Sequence, residues 1–340
     1  MISNPKSPFD VVVVGAGPSG LAAAIEAKKY GMSYVVLEKG GITNSILYFP
    51  TQMIFFTTPE RLEIGGIPLV SEREKPTRNE ALKYYRKVVG RYQLDVRQYE
   101  EVTRIDRIQD HAFHVQSAKA EYDANNIVIS IGYYDNPNFM KVPGEELPHV
   151  SHYYTEAHPY YDRDVVVIGG KNSAAEAALD LFRGGARVSL VHRQAALGQT
   201  IKYWVRPDIE NRLKNGEIKP YLSARVVEIT KDHVRILQAD QPINIAAQHV
   251  FALTGYHPST KFFDQLGVRY DPDTLTPEYD PRTFETSVPG VYLAGSVVGG
   301  RINGEVFIEN GRFHGEALMK IIAARMGTAI RGQGEQKLPS

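Results

Sequence analysis

The 340-residue chain is predicted to be an α/β protein made of two βαβ domains, for two reasons. Short β-branched runs at 11–14 and 164–168 each lead into a glycine-rich stretch, an alanine-rich helix and a second short apolar run. Such runs are typical of strands buried in a parallel sheet. The length also suits about two domains of ordinary size.

The composition excludes several classes of function. Lys and Arg number 39 and Asp and Glu number 39, so the basic excess that favours a nucleic-acid partner is missing. No apolar run approaches the ~18 residues that span a bilayer, so we expect no membrane partner and a cytoplasmic location. The absence of cysteine excludes a disulfide scaffold, a cysteine nucleophile and a cysteine-ligated metal. We expect no metal site.

The first glycine-rich stretch, Gly15-Ala-Gly-Pro-Ser-Gly20, has the spacing of a dinucleotide-binding turn. Gly15 permits a tight turn, Gly17 lets backbone approach a pyrophosphate, and Gly20 lets helix and strand pack closely. A helix expected over 21–30 would present its N-terminal amides to phosphate. Glu38 follows about 20 residues later, where a carboxylate can accept from both ribose hydroxyls. The carboxylate favours a free 2′-hydroxyl, so this site is predicted to bind FAD or NAD rather than NADP.

A second glycine-rich unit in the middle of the chain differs from the first at two places. In Gly169-Gly-Lys-Asn-Ser-Ala174, Lys171 takes the middle glycine position, and its side chain either swings away from a pyrophosphate or reaches over a phosphate. The next strand ends at His192-Arg193 instead of at an acid. The guanidinium group of arginine can donate two hydrogen bonds to a 2′-phosphate, whereas a carboxylate would repel this phosphate. This site is therefore predicted to bind NADPH, with Lys202 as a further candidate for the 2′-phosphate.

The two units divide the chain into two predicted domains. The strand pattern at 102–130 recurs at 226–253, so each domain is expected to carry an inserted β-meander. A strand at 288–295 and a closing helix at 312–324 are expected to return to the first domain. We expect a discontinuous FAD-binding domain at 1–134 and 252–330, an inserted NADPH-binding domain at 135–251, and a flexible tail at 331–340.

Several longer motifs resemble the low-molecular-weight thioredoxin reductases, and more narrowly their bacillithiol disulfide reductase (YpdA-type) branch. The wider resemblance is carried by the first glycine stretch, Ile129-Ser-Ile-Gly132, Val142-Pro-Gly-Glu145 and Thr286-Ser-Val-Pro-Gly-Val-Tyr-Leu-Ala-Gly295. The narrower one is carried by Asn44-Ser-Ile-x-x-Phe-Pro-Thr51, Arg61-Leu-Glu-Ile-Gly65, Ser130-Ile-Gly-Tyr-Tyr-Asp-Asn-Pro137, Val167-Ile-Gly-Gly-Lys-Asn-Ser-Ala174 and Ile308-Glu-Asn-Gly-Arg-Phe-His-Gly315. The resemblance covers about residues 9–325. It implies two Rossmann-like domains, FAD, NADPH and a homodimer.

The resemblance also implies which residues contact the cofactors. For FAD these are Gly15, Gly17, Pro18, Ser19, Gly20, Glu38, Lys39, Asn44, Gly132, Gly295 and Ser296, with Val102 holding the adenine through its backbone. For NADPH they are Gly169, Gly170, Asn172, Ser173, His192, Arg193 and Lys202. No catalytic side chain is identified, because hydride transfer is chemistry of the cofactors.

Three departures from the family pattern bear on the electron acceptor. Residues 151–161 hold no Cys-x-x-Cys pair, Ser19 stands where the branch often has cysteine, and Ser296 stands where thioredoxin reductases have aspartate. Thioredoxin is therefore not the expected substrate. The first hypothesis is reduction of a small bacillithiol-type disulfide without a protein thiol. The alternatives are an NADPH-dependent reductase of a small electron-transfer protein, ferredoxin or flavodoxin, and a non-catalytic nucleotide sensor.

Overall fold

The computed structural model describes residues 7–302 and 304–327, and within them sixteen strands and eight helices. The strands are β1 (Val11–Val14), β2 (Tyr34–Leu37), β3 (Val96–Arg97), β4 (Val102–Gln109), β5 (Ala112–Ser117), β6 (Glu121–Ala124), β7 (Ile127–Ile129), β8 (Val150–Ser151), β9 (Asp164–Ile168), β10 (Arg187–His192), β11 (Lys219–Leu222), β12 (Ala224–Ile229), β13 (His233–Gln238), β14 (Gln241–Ala246), β15 (His249–Ala252) and β16 (Val291–Leu293). The helices are α1 (Pro18–Lys29), α2 (Asn44–Leu47), α3 (Arg78–Tyr92), α4 (Asn172–Arg183), α5 (Arg206–Lys214), α6 (Lys261–Leu266), α7 (Ile308–Gly311) and α8 (His314–Met326). The tail expected at 331–340 lies outside the described residues.

The chain divides into two compact units. The first contains the described residues of 1–47, 57–136 and 257–340, and the second contains 48–56 and 137–256. The sequence-based expectation kept 48–56 in the first domain, whereas the structure groups this segment with the second unit. The segment is short and has no change in composition that could mark a border.

The first unit is built on a five-stranded parallel sheet in the order β16-β7-β1-β2-β3. Its central strand, Val11–Val14, is buried along its whole length, as a strand covered on both faces requires. Helix α8 crosses α1 closely, because a Cβ at Gly315 would lie 2.5 Å from the backbone nitrogen of Ala23. The closing helix begins at His314, later than expected, and the short helix α7 precedes it.

An antiparallel meander, β4-β5-β6, also belongs to the first unit. Its inward side chains Ile105, Phe113 and Val115 are buried and join the core formed by the parallel sheet. Helix α3 begins with a reciprocal capping box, in which Thr77 accepts from the Glu80 amide and Glu80 accepts from the Thr77 amide. The part of the chain between β2 and β7 thus contains α2, α3, β3 and the meander.

The second unit repeats this plan. Its parallel sheet has the order β11-β10-β9-β15-β8, and β12-β13-β14 form the second meander. The alanine-rich helix α4 follows β9 and buries its apolar face against the sheet. The predicted fold class, an α/β protein with two Rossmann-like units, is confirmed.

In the part of the chain that the structure describes, no helix is long and apolar enough to cross a membrane, and no group of three or more His, Asp or Glu side chains could hold a metal ion.

Candidate cofactor-binding sites

The first candidate site lies at the carboxyl end of β1, between β2 and β7, where parallel sheets of this order bind ligands. Gly15 has a φ of +104°, and a Cβ there would lie 2.6 Å from the Ser130 carbonyl oxygen. A Cβ at Gly20 would collide with the Gly15 carbonyl oxygen. A Cβ at Gly17, by contrast, would meet no atom within 4 Å. Gly15 and Gly20 therefore shape the turn, and Gly17 faces the open space that a pyrophosphate would need.

The N-terminus of α1 opens onto the same turn. Gly17 is the residue before the helix and Pro18 occupies its first turn, and no side chain caps this end. Free amides and the positive end of the helix dipole make such an end suitable for phosphate. The absence of a capping side chain therefore fits a helix end that a ligand caps.

Glu38 links the turn to the loop that follows β2. The side chain is buried, its Oε2 accepts from the Ala16 amide at 2.7 Å, and its Oε1 accepts from the Gly40 amide at 2.9 Å. Burial raises the pKa of Glu38, and the two amides act in the opposite direction. Each carboxylate oxygen has a second lone pair, so the carboxylate can still accept from ribose hydroxyls. The predicted ribose contact is thus compatible with the structure.

The remaining predicted FAD contacts surround this turn. A Cβ at Gly295, whose φ is +80°, would lie 2.7 Å from the Ser19 hydroxyl oxygen, and one at Gly132 would lie 3.8 Å from the Ser296 hydroxyl oxygen. The structure therefore brings Ser19 to Gly295 and Gly132 to Ser296. The ends of β7 and β16 thus meet the start of α1.

Two of the three other predicted FAD residues, Lys39 and Asn44, lie along the loop after β2. Lys39 forms an ion pair with Asp135 at 2.9 Å, and Asn44 begins α2 with its side-chain amide beside Gly40. Val102 is buried at the start of β4. Its backbone contact with adenine stays a prediction.

His314 is a residue of this site that the sequence reasoning missed. Its Nδ1 accepts a hydrogen bond from the Gly295 amide at 3.2 Å, and its ring stacks on Phe284 with centroids 4.1 Å apart. Burial lowers the pKa of His314 to about 4, which keeps the ring neutral and Nδ1 able to accept. The residue stands inside a quoted motif, but nothing local in that motif indicates a bond to a residue 19 positions away.

The second candidate site lies at the carboxyl ends of β9 and β10. Gly169 has a φ of +148°, and a Cβ there would lie 2.5 Å from the Leu253 carbonyl oxygen. A Cβ at Gly170 would collide with the His192 ring, so this ring lies flush against the turn. Burial, and then the charge of Arg193, lower the pKa of His192. Both predicted glycines are therefore required for steric reasons, and His192 packs as a neutral ring.

The residues after these glycines hold a neighbouring loop in place. Lys171 is exposed and immediately precedes α4, and Ser173 is exposed in the first turn of that helix. Asn172 Oδ1 accepts from the Lys202 amide at 2.8 Å, and its Nδ2 donates to the Thr200 carbonyl at 3.0 Å. Asn172 thus fixes the loop over 198–202 against the start of α4.

The two predicted cationic partners of a 2′-phosphate differ sharply. Arg193 is exposed and forms no ion pair with any residue that the structure describes. Lys202 has only 12% of its side chain exposed and pairs with Glu176 at 2.7 Å. The structure therefore leaves Arg193 available to an anion and gives Lys202 a partner of its own.

A family model described as pyridine nucleotide-disulphide oxidoreductase matches residues 12–295. The chain belongs to this family. The match confirms the predicted enzyme class, an oxidoreductase with FAD and NADPH as cofactors.

Three relatives of this oxidoreductase are similar over nearly their full length. The bacilliredoxin reductase Bdr of Bacillus subtilis is 44% identical over 315 residues, which are 92% of this chain and 97% of that protein. The structure of the bacillithiol disulfide reductase Bdr (YpdA) from Bacillus cereus matches with a TM-score of 0.92 at 44% identity, covering 94% of this chain and 100% of that one. The corresponding structure from Staphylococcus aureus matches with a TM-score of 0.91 at 37% identity, covering 94% and 99%. The predicted resemblance is confirmed.

The different roles of two glycines in the first turn can be separated by substitution. Gly17→Ala places its methyl group in open space, so the protein is expected to fold. Its affinity for FAD should fall at least tenfold, which corresponds to a loss of ~1.4 kcal/mol or more. Gly20→Ala forces a collision with the Gly15 carbonyl, so it is expected to lower the free energy of unfolding itself. The measurements are FAD binding by visible absorbance and unfolding in urea. Wild-type affinity for FAD in Gly17→Ala would contradict the account.

The lowered pKa of His314 predicts a dependence of stability on pH. The unfolded chain takes up a proton on this ring near pH 6.5 and the folded chain only near pH 4, so stability falls as the pH drops between these values. This ring should cost the wild type about 2 kcal/mol between pH 7 and pH 5. His314→Gln keeps an acceptor for the Gly295 amide but cannot titrate. Urea unfolding at both pH values should show a flatter profile for the variant, and identical profiles would refute the assignment.

Proposed function

We propose that this oxidoreductase reduces a small disulfide of the bacillithiol type with electrons from NADPH. The observation that carries the proposal is the 44% identity, over nearly the full length of both chains, to a protein described as a bacillithiol disulfide reductase. The geometry supports it through two nucleotide turns of different chemistry, one with a buried carboxylate at Glu38 and one with an exposed arginine at Arg193.

The residues of the chain would bind and orient the cofactors. Bound FAD would supply the redox chemistry, taking a hydride from NADPH and passing electrons to the acceptor. Gly17 and the amides of α1 would hold the pyrophosphate of FAD, and Glu38 its ribose. Arg193 would bind the 2′-phosphate of NADPH, while the neutral His192 ring packs beside it.

The absence of cysteine determines how the disulfide can be reduced. The chain has no thiol that could form a mixed disulfide with the substrate. At the position where the family branch often has cysteine, Ser19 packs against Gly295 and Gly311. A serine hydroxyl cannot take part in thiol–disulfide exchange, which requires a thiolate. The electrons must therefore reach the substrate without a covalent link to the protein.

A second candidate function is supported by the same absence. An NADPH-dependent reductase of ferredoxin or flavodoxin needs no protein thiol, so a chain without cysteine suits it equally well.

The homodimer and the cytoplasmic location also belong to the proposal. The family resemblance supports the homodimer, and the expectation drawn from the sequence supports the cytoplasmic location.

The acceptor can be tested by anaerobic titration. NADPH should bleach the purified yellow protein, and bacillithiol disulfide should restore its colour faster than ferredoxin or flavodoxin does. Ser19→Ala should reoxidise at a rate within about twofold of the wild type, because its hydroxyl takes no part in exchange. Reoxidation only by ferredoxin or flavodoxin would establish the second candidate instead, and a protein that NADPH does not bleach would contradict both candidates.

The role of Arg193 predicts a change in coenzyme preference. Arg193→Ala should raise the KM for NADPH about 10- to 100-fold, which corresponds to the ~1.5–3 kcal/mol of hydrogen bonds to a charged group. The KM for NADH should stay unchanged, since NADH lacks the 2′-phosphate. Arg225→Ala, at another exposed arginine of the second unit, is the control. Equal losses with both coenzymes would mean that Arg193 does not recognise the phosphate.

A further inference from the structure

Residues 48–56, named here the strap, belong to the second unit although the chain on both sides belongs to the first. The main chain therefore passes between the units four times, at 47/48, 56/57, 136/137 and 256/257. Two of these passages exist only because the strap is attached to the second unit. The attachment of the strap therefore depends on contacts within the second unit.

Three contacts attach the strap. The amide and the hydroxyl of Thr51 both donate to the Thr155 carbonyl, each at 2.9 Å. The Phe56 ring packs against Trp204 with centroids 5.4 Å apart. The ammonium group of Lys202 donates to the Ile54 carbonyl at 3.4 Å.

Lys202 is also tied to the second nucleotide site. Its ammonium pairs with Glu176 on α4 at 2.7 Å and lies 5.7 Å from the centroid of the Trp204 ring. Its amide donates to Asn172, as described above. Binding a 2′-phosphate with this ammonium would disturb the ion pair and leave the carboxylate of Glu176 half-buried without its cation.

Hydrogen bonds hold both ends of the loop over 198–202 against the glycine turn of the second site, at Gly170 and Asn172. At one end the Gly198 amide donates to the Gly170 carbonyl at 2.7 Å, and at the other the Lys202 amide donates to Asn172. A path made of hydrogen bonds and covalent chain therefore runs from the turn, through the loop over 198–202 and the Lys202 side chain, to Ile54 in the strap. Such a path can carry coupling between a ligand site and a distant segment.

We propose that Lys202 is a positioning residue that couples occupancy of the second nucleotide site to attachment of the strap, and that it does not bind the 2′-phosphate. The inference rests on the proposed function only in taking the second site to bind an NADP-type nucleotide. A nucleotide that seats against Gly170 and Asn172 orders the loop, the loop fixes Lys202, and Lys202 fixes the strap. Detachment of the strap is disfavoured when the nucleotide is bound.

Limited proteolysis of the full-length protein tests the coupling, with 2′,5′-ADP as the probe because it carries the 2′-phosphate but no nicotinamide. The strap contains three chymotrypsin sites, Tyr48, Phe55 and Phe56. At a 2′,5′-ADP concentration ten times its Kd, cleavage in the wild-type strap should slow about tenfold if only the attached form binds the probe. Calorimetry measures the Kd separately. Unchanged cleavage at saturation would overturn the proposal, even if no variant could be made.

Two variants separate coupling from phosphate binding. Lys202→Met should be cleaved in the strap several times faster than the wild type and should lose the protection by 2′,5′-ADP, while its ratio of KM for NADPH and NADH stays within about twofold. Thr51→Val, the matched control, weakens the strap at its other anchor and should keep the protection. The only tryptophan, Trp204, gives an independent readout, since 2′,5′-ADP should shift its emission in the wild type and not in Lys202→Met.

Three other outcomes would overturn the coupling, the proposed function, or both. If Lys202→Met raises the KM for NADPH tenfold and spares NADH, Lys202 binds the 2′-phosphate and the proposal fails. If the strap responds as expected but no disulfide is reduced, the proposed function fails while the coupling stands. If calorimetry detects no binding of 2′,5′-ADP, the second site is not an NADP site and both fail.

Discussion

Both nucleotide sites depend on one steric constraint at the carboxyl end of the central strands. The backbone after β1 and β9 turns so tightly that a Cβ at Gly15 or Gly169 would press on a carbonyl of the adjacent strand. Only glycine permits this approach, because it has no Cβ and adopts positive φ at little cost. The turn in each case ends at the N-terminus of a helix, so it delivers that helix to the edge where a phosphate can bind.

What distinguishes the two sites is the residue at the end of the neighbouring strand. After β2, Glu38 is buried and bonded to two amides, which fixes a carboxylate at the place expected for a ribose. After β10, the His192 ring packs against the glycine turn at Gly170, and Arg193 is exposed beside it. A negative group at one site and a positive group at the other would keep a phosphorylated nucleotide from the first and attract it to the second. We propose that the same fold serves two cofactors through the difference between Glu38 at one site and the His192-Arg193 pair at the other.

The parts that the sequence predicted well are those encoded by residues close together in the chain. The glycine spacing, the buried strands and the acid at position 38 all lie within about 25 residues of one another, so local rules sufficed. The strap, the bond between His314 and Gly295, and the ion pair of Lys202 with Glu176 join residues far apart in sequence. No local pattern encodes such contacts. Lys202 shows the difference most clearly, because its position suggested a phosphate ligand and its surroundings supply a carboxylate.

The chain has no cysteine, so no protein thiol can take part in the redox chemistry of this oxidoreductase. We therefore expect FAD in the first turn and NADPH in the second, each selected by its own charged residue. A crystal structure of the protein purified with its flavin and soaked with NADP⁺ tests this most directly. We expect the ribose hydroxyls of FAD to bind the Glu38 carboxylate and the 2′-phosphate of NADP⁺ to bind the Arg193 guanidinium. A 2′-phosphate bound by Lys202, or a flavin nucleotide in the second turn, would contradict it.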